Sequence, residues 1–272
     1  MSLSIVTNVA SLIASDELTN NQTAINQTTA QLSSGKRIVN ASDDPGDLVL
    51  ATEEQGLLGA FGQAQNNTAN ATSFLQTADG ALSNIANLLQ TAQQLATEAS
   101  DGSFSSGQLT ALDGQYQAIL KSVTQIVNGS TFNGTSLLTG ASVTFQVGAT
   151  NSANDQLTVA LPSVSVSALL LTGTSLTSNG NAQTALGAVT TALATVAGAR
   201  GSLGASEQQL SAISNNLQST TQNLTSALST IQDANIAQTY ATFTQESVQQ
   251  QIGVQVLRQA DQTPTNLVAL FQ

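Results

Sequence analysis

Apolar side chains recur in alternating steps of three and four along most of this chain, and no other feature restricts its fold as strongly. Leu75, Ala78, Leu82, Ile85, Leu89, Ala92 and Ala96 form one such run. Leu109, Leu112, Tyr116, Ile119, Val123 and Ile126 form a second, and Leu210, Ile213, Leu217, Thr220, Leu224, Ala227 and Ile231 a third. Leu186, Val189, Leu193 and Val196 follow the same rule. A looser version spaces Leu18, Ile25 and Leu32 seven apart, and Val248, Ile252, Val256 and Gln259 continue it in degraded form. This spacing puts each run on one seam of a helix built to pack lengthwise. For arms at both ends of the chain to bury such seams, the N- and C-terminal halves must pack on each other. The predicted fold class is mainly α: a long coiled-coil-like helical hairpin or bundle formed by the two halves, with a small β-hairpin region in the middle.

Turn and cap residues agree. The first helix should stop at Ser34-Gly35, where Gly can take the left-handed conformation. Asp44-Pro45 offers an N-cap followed by Pro at the first helical position, and Asp47 adds negative charge to the first turn. No Pro interrupts the chain from there to Asp101-Gly102, enough for a helix of about 80 Å at 1.5 Å per residue. Ser105-x-x-Gln108 predicts the start of a third helix, which Asn128-Gly129 ends. Between the helical halves, Val143–Val147, Leu157–Leu161 and Ser163–Ser167 read as two or three short strands. Helix resumes near Ala182.

Composition narrows the function. Only 8% of the residues are charged, 3% are aromatic, and there is no His, Cys or Trp. More than a third of the chain is therefore Ser, Thr, Asn or Gln, so its surface is polar without being ionic. Catalysis is poorly supplied without the usual general bases and nucleophiles. Lack of Cys removes disulfides and thiolate metal sites. With five Lys and Arg and a net charge of −11, neither nucleic-acid phosphates nor an anionic membrane would be attracted. Met1–Asn20 has no Lys or Arg and no continuous apolar core, which argues against a cleavable secretory signal. The longest uninterrupted apolar stretch, Leu267–Phe271, is far short of the roughly 20 residues of a membrane helix.

Three local features admit a chemical reading and are better explained without one. Asp43, Asp44 and Asp47 fit a capped helix start more closely than a metal or carboxylate dyad. Lys36 and Arg37, after Ser34-Gly35, lack the spacing of a phosphate loop and suit the negative end of a helix dipole. Asn-x-Ser/Thr triplets such as Asn21-Gln-Thr23 arise by chance in so polar a chain. We therefore predict no catalytic residue, no cofactor and no metal. Apolar periodicity instead reaches both ends of the chain, over Leu3–Ile13 and Val254–Phe271, where single domains usually fray. A monomer would expose those strips, which marks an interaction surface. The expected subunit-interface residues are Leu12, Leu18, Ile25, Leu32, Ile252, Val256, Leu257 and Leu270.

Several segments carry a family resemblance. Gln31-Leu-Ser-Ser-Gly-Lys-Arg-Ile38 followed by Asn40-Ala-Ser-Asp-Asp-Pro-Gly46 resembles the N-terminal signature of bacterial flagellins, and Asn8-Val-Ala-Ser-Leu12 their opening segment. Thr131-Phe-Asn-Gly-Thr-Ser-Leu-Leu138, with Phe145-Gln-Val-Gly148 after it, is similar to the family's turn into its first β-hairpins. Gly198-Ala-Arg200, Leu203-Gly204, Ile231-Gln-Asp-Ala234 and Gln259-Ala-Asp-Gln-Thr-Pro264 then fall in the family's order. Each motif alone is weak; their succession is specific. The resemblance spares only about residues 149–185.

It implies a structural subunit of the bacterial flagellar filament: a homopolymer, extracellular, and exported without a cleaved signal peptide. Its implied partners are a flagellar export chaperone, the type III export apparatus, the filament cap and the hook-junction proteins. It further implies a terminal coiled-coil domain of residues 1–40 and 232–272, a helical bundle of 41–140 and 182–231, and a short β-hairpin segment, 141–181, where relatives often carry large outer domains. Leu89–Ala96 is similar to the segment that innate immune receptors read in many flagellins. There this chain has Thr91, Gln93 and Gln94 in place of the family's common Arg, Arg and Glu, so the charged hydrogen bonds of that recognition are lost. Two other readings stand beside the filament subunit. Asp43-Asp-Pro45 also looks like the related hook–filament junction protein, although Phe132-Asn-Gly134 and Gln262-x-Pro264 favour flagellin; a secreted rod-like binding module is the alternative from another class.

Overall fold

The computed structural model describes residues 8–269. Five helices dominate: α1 (Val9–Ser34), α2 (Pro45–Ala99), α3 (Ser106–Gly129), α4 (Asn179–Gln232) and α5 (Ile236–Ala269). Two antiparallel strand pairs lie between α3 and α4: β1 (Thr131–Phe132) with β2 (Thr135–Ser136), and β3 (Ser142–Gln146) with β4 (Gln156–Ala160). The mainly α class with a small β region is as the seams predict.

Local chemistry accounts for the boundaries. Asn8 caps α1 by accepting the Ser11 N–H at 3.2 Å. Gly35 ends it at φ 71°, a conformation that costs a residue without Cβ nothing, and its N–H bonds the Gln31 carbonyl at 2.8 Å. Asp44 Oδ1 accepts the Asp47 N–H at 3.0 Å at the start of α2. Gln108 Oε1 reaches back to the Ser105 N–H at 2.9 Å at the start of α3. Between β1 and β2, Asn133 and Gly134 both have positive φ (47° and 80°), as a two-residue hairpin turn with the twist of the strands requires.

The chain divides into two compact units, one made of Leu57–Gln222 and the other of the chain up to Gly56 with the stretch from Asn223 onward; α2 and α4 contribute to both. The core of the first unit is a set of helical seams. Leu75, Ala78, Leu82, Ile85, Leu89, Ala92 and Ala96 of α2 are all fully buried. They meet Leu109, Leu112, Tyr116, Leu120, Val123 and Val127 of α3, and Ala182, Ala185, Val189, Ala192, Val196, Leu203 and Leu210 of α4, in one cluster.

The seams of α3 and α4 keep Leu109, Leu112, Tyr116, Val123, Val189, Val196, Leu210 and Leu217 as predicted, but depart by one residue at four positions. Leu120 and Val127 are buried where Ile119 and Ile126 were expected, and Ala185 and Ala192 where Leu186 and Leu193 were; the expected residues are half-buried alongside. On α3 the buried line steps 3,4,4,3,4, the drift of a 3.6-residue helix against a 3.5-residue stripe; on α4 it keeps the seven-residue repeat but takes the position beside the expected one before and after Val189. On α4 the step selects the smaller side chain.

The middle segment closes one part of this core. Phe74 of α2 packs edge-on against Phe132 and Phe145, each at 5.5 Å between ring centres. Leu137, Leu138, Leu161, Val164, Leu169, Leu171 and Leu176 are all buried. Asp113 of α3 accepts the Leu176 N–H at 2.7 Å, and the Tyr116 hydroxyl shares a 2.7 Å hydrogen bond with that of Thr174. Ser163–Ser167, expected as a strand, forms only an isolated bridge, Thr139 with Ser163. Ser165 Oγ takes the Ala168 N–H at 3.1 Å, and its carbonyl takes that of Leu169 at 2.9 Å. The serines thus offer the backbone a turn in place of a ladder.

One ion pair braces α2 to α4 in this unit. Arg200 donates two parallel hydrogen bonds to Asp79, at 2.7 and 3.0 Å, and holds that carboxyl below its ordinary range. A lowered folded-state pKa means stability that is fully present above the unfolded value of about 3.9 and lost as the pH falls through the folded one. Because both groups are partly exposed, Asp79→Asn should lower stability at pH 7 by only about 0.5–1 kcal/mol. The difference between wild-type and variant urea midpoints should shrink as the pH is taken from 7 to 2.5.

Candidate assembly surface

In the second unit the two inter-helix links meet. The link after α1 and the link after α4 form a short antiparallel ladder: Arg37 N–H donates to the Gln232 carbonyl at 2.7 Å, Ala234 N–H to that of Gly35 at 2.9 Å, and Lys36 lies opposite Asp233. The Arg37 guanidinium donates to the Ile231 carbonyl at 2.8 Å, to Asp44 at 3.4 Å, and to Asp47. The sequence placed this cation at the end of α1. It sits instead on the last turn of α4, because the ladder brings those carbonyls within reach while Gly35 already closes α1.

The acidic cluster is fully engaged here. Asp43 accepts the Val39 and Asn40 N–H groups at 3.0 and 2.8 Å. The Asp47 N–H, seconded by Arg37, holds the Asp44 carboxyl below its ordinary range, and Asp47 in turn raises the pKa of Arg37. Among the described residues, no group of three His, Cys, Asp or Glu is placed to hold a metal.

Helices α1 and α5 run antiparallel and pack on each other. The inward stripe of α1 is Ser11, Ala14, Leu18, Asn21, Ile25, Thr28 and Leu32, again in steps of three and four, yet only Ile25 and Thr28 are buried. Phe243, Glu246, Gln250, Gly253, Leu257 and Ala260 form the matching half-buried stripe of α5. Much of this contact is polar. Asn8 donates to the Ala260 carbonyl at 2.9 Å, Ser11 to Asp261 at 2.7 Å, Asn21 to the Glu246 carbonyl at 3.1 Å, and Thr28 to the Glu246 carboxylate at 2.7 Å. Gln250 bonds Gln22.

Several large apolar residues of these helices nevertheless face outward. On α1, Val9, Leu12 and Ile13 are 55–60% exposed; on α5, Ile236, Val248, Ile252 and Val256 are 49–57% exposed and Tyr240 61%. Val248, Ile252 and Val256, which continue the apolar spacing in degraded form, do not meet α1: α5 turns its Glu246–Gln250–Gly253 face to α1, and this aliphatic stripe to solvent. That face has the same four-and-three spacing, but its residue types hide it from a search for apolar periodicity. Ala10, Ile13 and Ala14 of α1 and Ile252 and Val256 of α5 line an open apolar groove along the pair.

The expected interface residues thus separate. Leu12, Ile252 and Val256 are exposed, Leu18, Leu32 and Leu257 half-buried, and Ile25 is covered within the chain. Leu270 lies outside the described residues. No described helix is long and apolar enough to cross a membrane.

Sealed helical seams with apolar stripes left facing outward define a structural protein of the lengthwise-packing helical class. Residues 5–143 match the family model for the bacterial flagellin N-terminal helical region, and residues 186–271 that for the C-terminal helical region. The chain belongs to the bacterial flagellin family, whose members are structural proteins and not enzymes. It is 34% identical over 151 residues to polar flagellin F of Vibrio parahaemolyticus, covering 55% of this chain and 40% of that one. It is 32% identical over 174 residues to the flagellin of Escherichia coli K12, covering 64% and 34%. The chain thus matches well under half the length of these relatives. Among solved structures, Bacillus cereus flagellin is similar at 28% identity with a TM-score of 0.51, over 56% of this chain and 88% of that one. A Vibrio parahaemolyticus protein assigned to the flagellar hook-associated class reaches a TM-score of 0.59 at 15% identity, over 70% of this chain and 99% of that one, a likeness of fold alone.

Buried and outward residues should answer substitution differently. Leu82→Ala, in the sealed seam, should cost about 2–5 kcal/mol, whereas Ile252→Ala should change the stability of the free chain by less than about 0.5 kcal/mol. Thermal melts of the two variants test this.

Proposed function

We propose that the chain self-assembles, through the outward stripes of α1 and α5, into the flagellar filament that propels a swimming bacterium. The observation that carries this reading is the orientation of α5, whose aliphatic stripe faces away from α1. Leu12, Ile252 and Val256 then form the exposed centre of the subunit interface, with Leu18, Leu32 and Leu257 at its edge. Ile25 supports it from within. Family membership supports the filament role over the hook junction, since both family models and the curated relatives are flagellins. In this reading the protein acts outside the cell, reached by the flagellar export apparatus with its chaperone, and polymerises beneath a cap on hook-junction proteins.

Burial of these stripes offsets the ordering entropy of the arms on assembly. Deleting residues 1–30 should leave a soluble helical protein that forms no filaments; filaments of normal length from that protein, seen by electron microscopy, would overturn the reading. Seeding the full chain with fragments of its own polymer should give continued elongation, whereas a junction protein would stop at short rings.

Electrostatics sets a further expectation. Ten acidic residues against three basic ones lie in the terminal unit, so stacking copies brings like charges together. Assembly followed by light scattering should speed up between about 0.05 and 0.3 M salt, as the Debye length contracts. A rate indifferent to salt would count against close packing of these acidic arms.

A further inference from the structure

We infer that Glu246, with Asn21 and Thr28, is a positioning element that holds the register of α1 on α5 along their length, beyond the Arg37–Gln232 and Ala234–Gly35 ladder that ties their ends. The stripe between these helices is poor in large apolar contacts, and a regular heptad pattern by itself permits slippage by whole heptads. Leu18, Ile25 and Leu32 repeat every seven residues, so each can stand in for the next. The ladder after α1 ties only one end of the pair, so along the helices something other than apolar burial must hold the alignment, and a polar residue inside such a seam is the usual means.

Two side chains flanking Ile25 converge on one residue of α5. Asn21 Nδ2 donates to the Glu246 carbonyl at 3.1 Å, and Thr28 Oγ1 donates to the Glu246 carboxylate at 2.7 Å. Thr28 is 8% exposed, Glu246 is half-buried, and Asn21 Oδ1 is buried without a partner. A slip of one heptad in one direction puts Gly35 where Thr28 stands, leaving the carboxylate in the seam with no hydroxyl to meet it. The opposite slip puts Ala14 where Asn21 stands, and Asn21 alone where Thr28 stands. Only the observed register supplies both donors. A second contact agrees: Leu18 fits against Gly253, where a Cβ would lie 3.3 Å from its terminal methyl, whereas a slip brings Ile25 or Ser11 to that notch.

The absence of native cysteine makes the test direct. Gln22→Cys with Gln250→Cys reports the observed register, because these side chains touch. Gln22→Cys with Phe243→Cys, or with Leu257→Cys, reports the two slips. In the otherwise unaltered full chain, oxidation should favour the first pair strongly; equal yields would overturn the proposal. Glu246→Leu should lower that preference about tenfold, the equivalent of one hydrogen bond to a charged group. Glu246→Gln, which keeps an acceptor, should restore most of it. Thr28→Val, close to isosteric, provides a second reading if Glu246→Leu perturbs helix content by circular dichroism. A preference unchanged in both Glu246→Leu and Thr28→Val, or lost equally in Glu246→Gln and Glu246→Leu, would overturn the assignment.

Discussion

The sealed seam of α2 is the constraint around which the larger unit is organised. From Leu75 to Ala96 every third or fourth residue is cut off from water, and a stripe so regular can be covered only by partners lying along it. That requirement brings in α3 and α4, sets the alanines of α4 and the larger side chains of α3 against the stripe, and leaves the 130–178 segment to close what the helices leave open. Dispersion and burial act together here, because close packing of small and branched side chains loses contacts steeply with any gap.

The terminal unit is built on the opposite balance. Its α1–α5 contact holds two buried residues on α1 and a series of polar contacts, while Leu12, Ile13, Val248, Ile252 and Val256 turn outward. Such a pair gains little by closing on itself and much by closing on something else, which is the physical basis for an assembling arm. The polar contacts give direction where apolar ones would give strength: Thr28 and Glu246 choose an alignment, and Ile252 and Val256 stay available. Low charge density serves the same end, since neutral amides and hydroxyls pack against copies of themselves without the accumulating repulsion of ionic faces.

Much of this was legible in advance because its causes are local. Gly35, Asp44-Pro45 and Ser105-x-x-Gln108 end and begin helices through bonds made within a few residues, so type and spacing suffice to place them. The α2 seam was legible because all seven of its residues are apolar. Failures of the reading share one cause, a choice between faces. Ile119 or Leu120, Leu186 or Ala185, and Val256 or Gly253 are alternatives separated by one to three positions, and the neighbouring helix decides among them. Ser163–Ser167 alternates like a strand but finds no partner beyond Thr139, and its hydroxyls turn the backbone instead.

By itself, then, the sequence determined the helical class, the helix ends, the lack of chemistry-bearing residues, and the family, since these rest on residue type and near-neighbour geometry. Tertiary structure alone decided where Arg37 goes, which stripe of α5 meets α1, and which residues of the arms remain exposed. Those outcomes depend on groups some 190 to 250 residues apart in the chain, such as Arg37 with Ile231 or Ser11 with Asp261. No spacing rule encodes such pairs, because the energy that selects them exists only once both partners are in place.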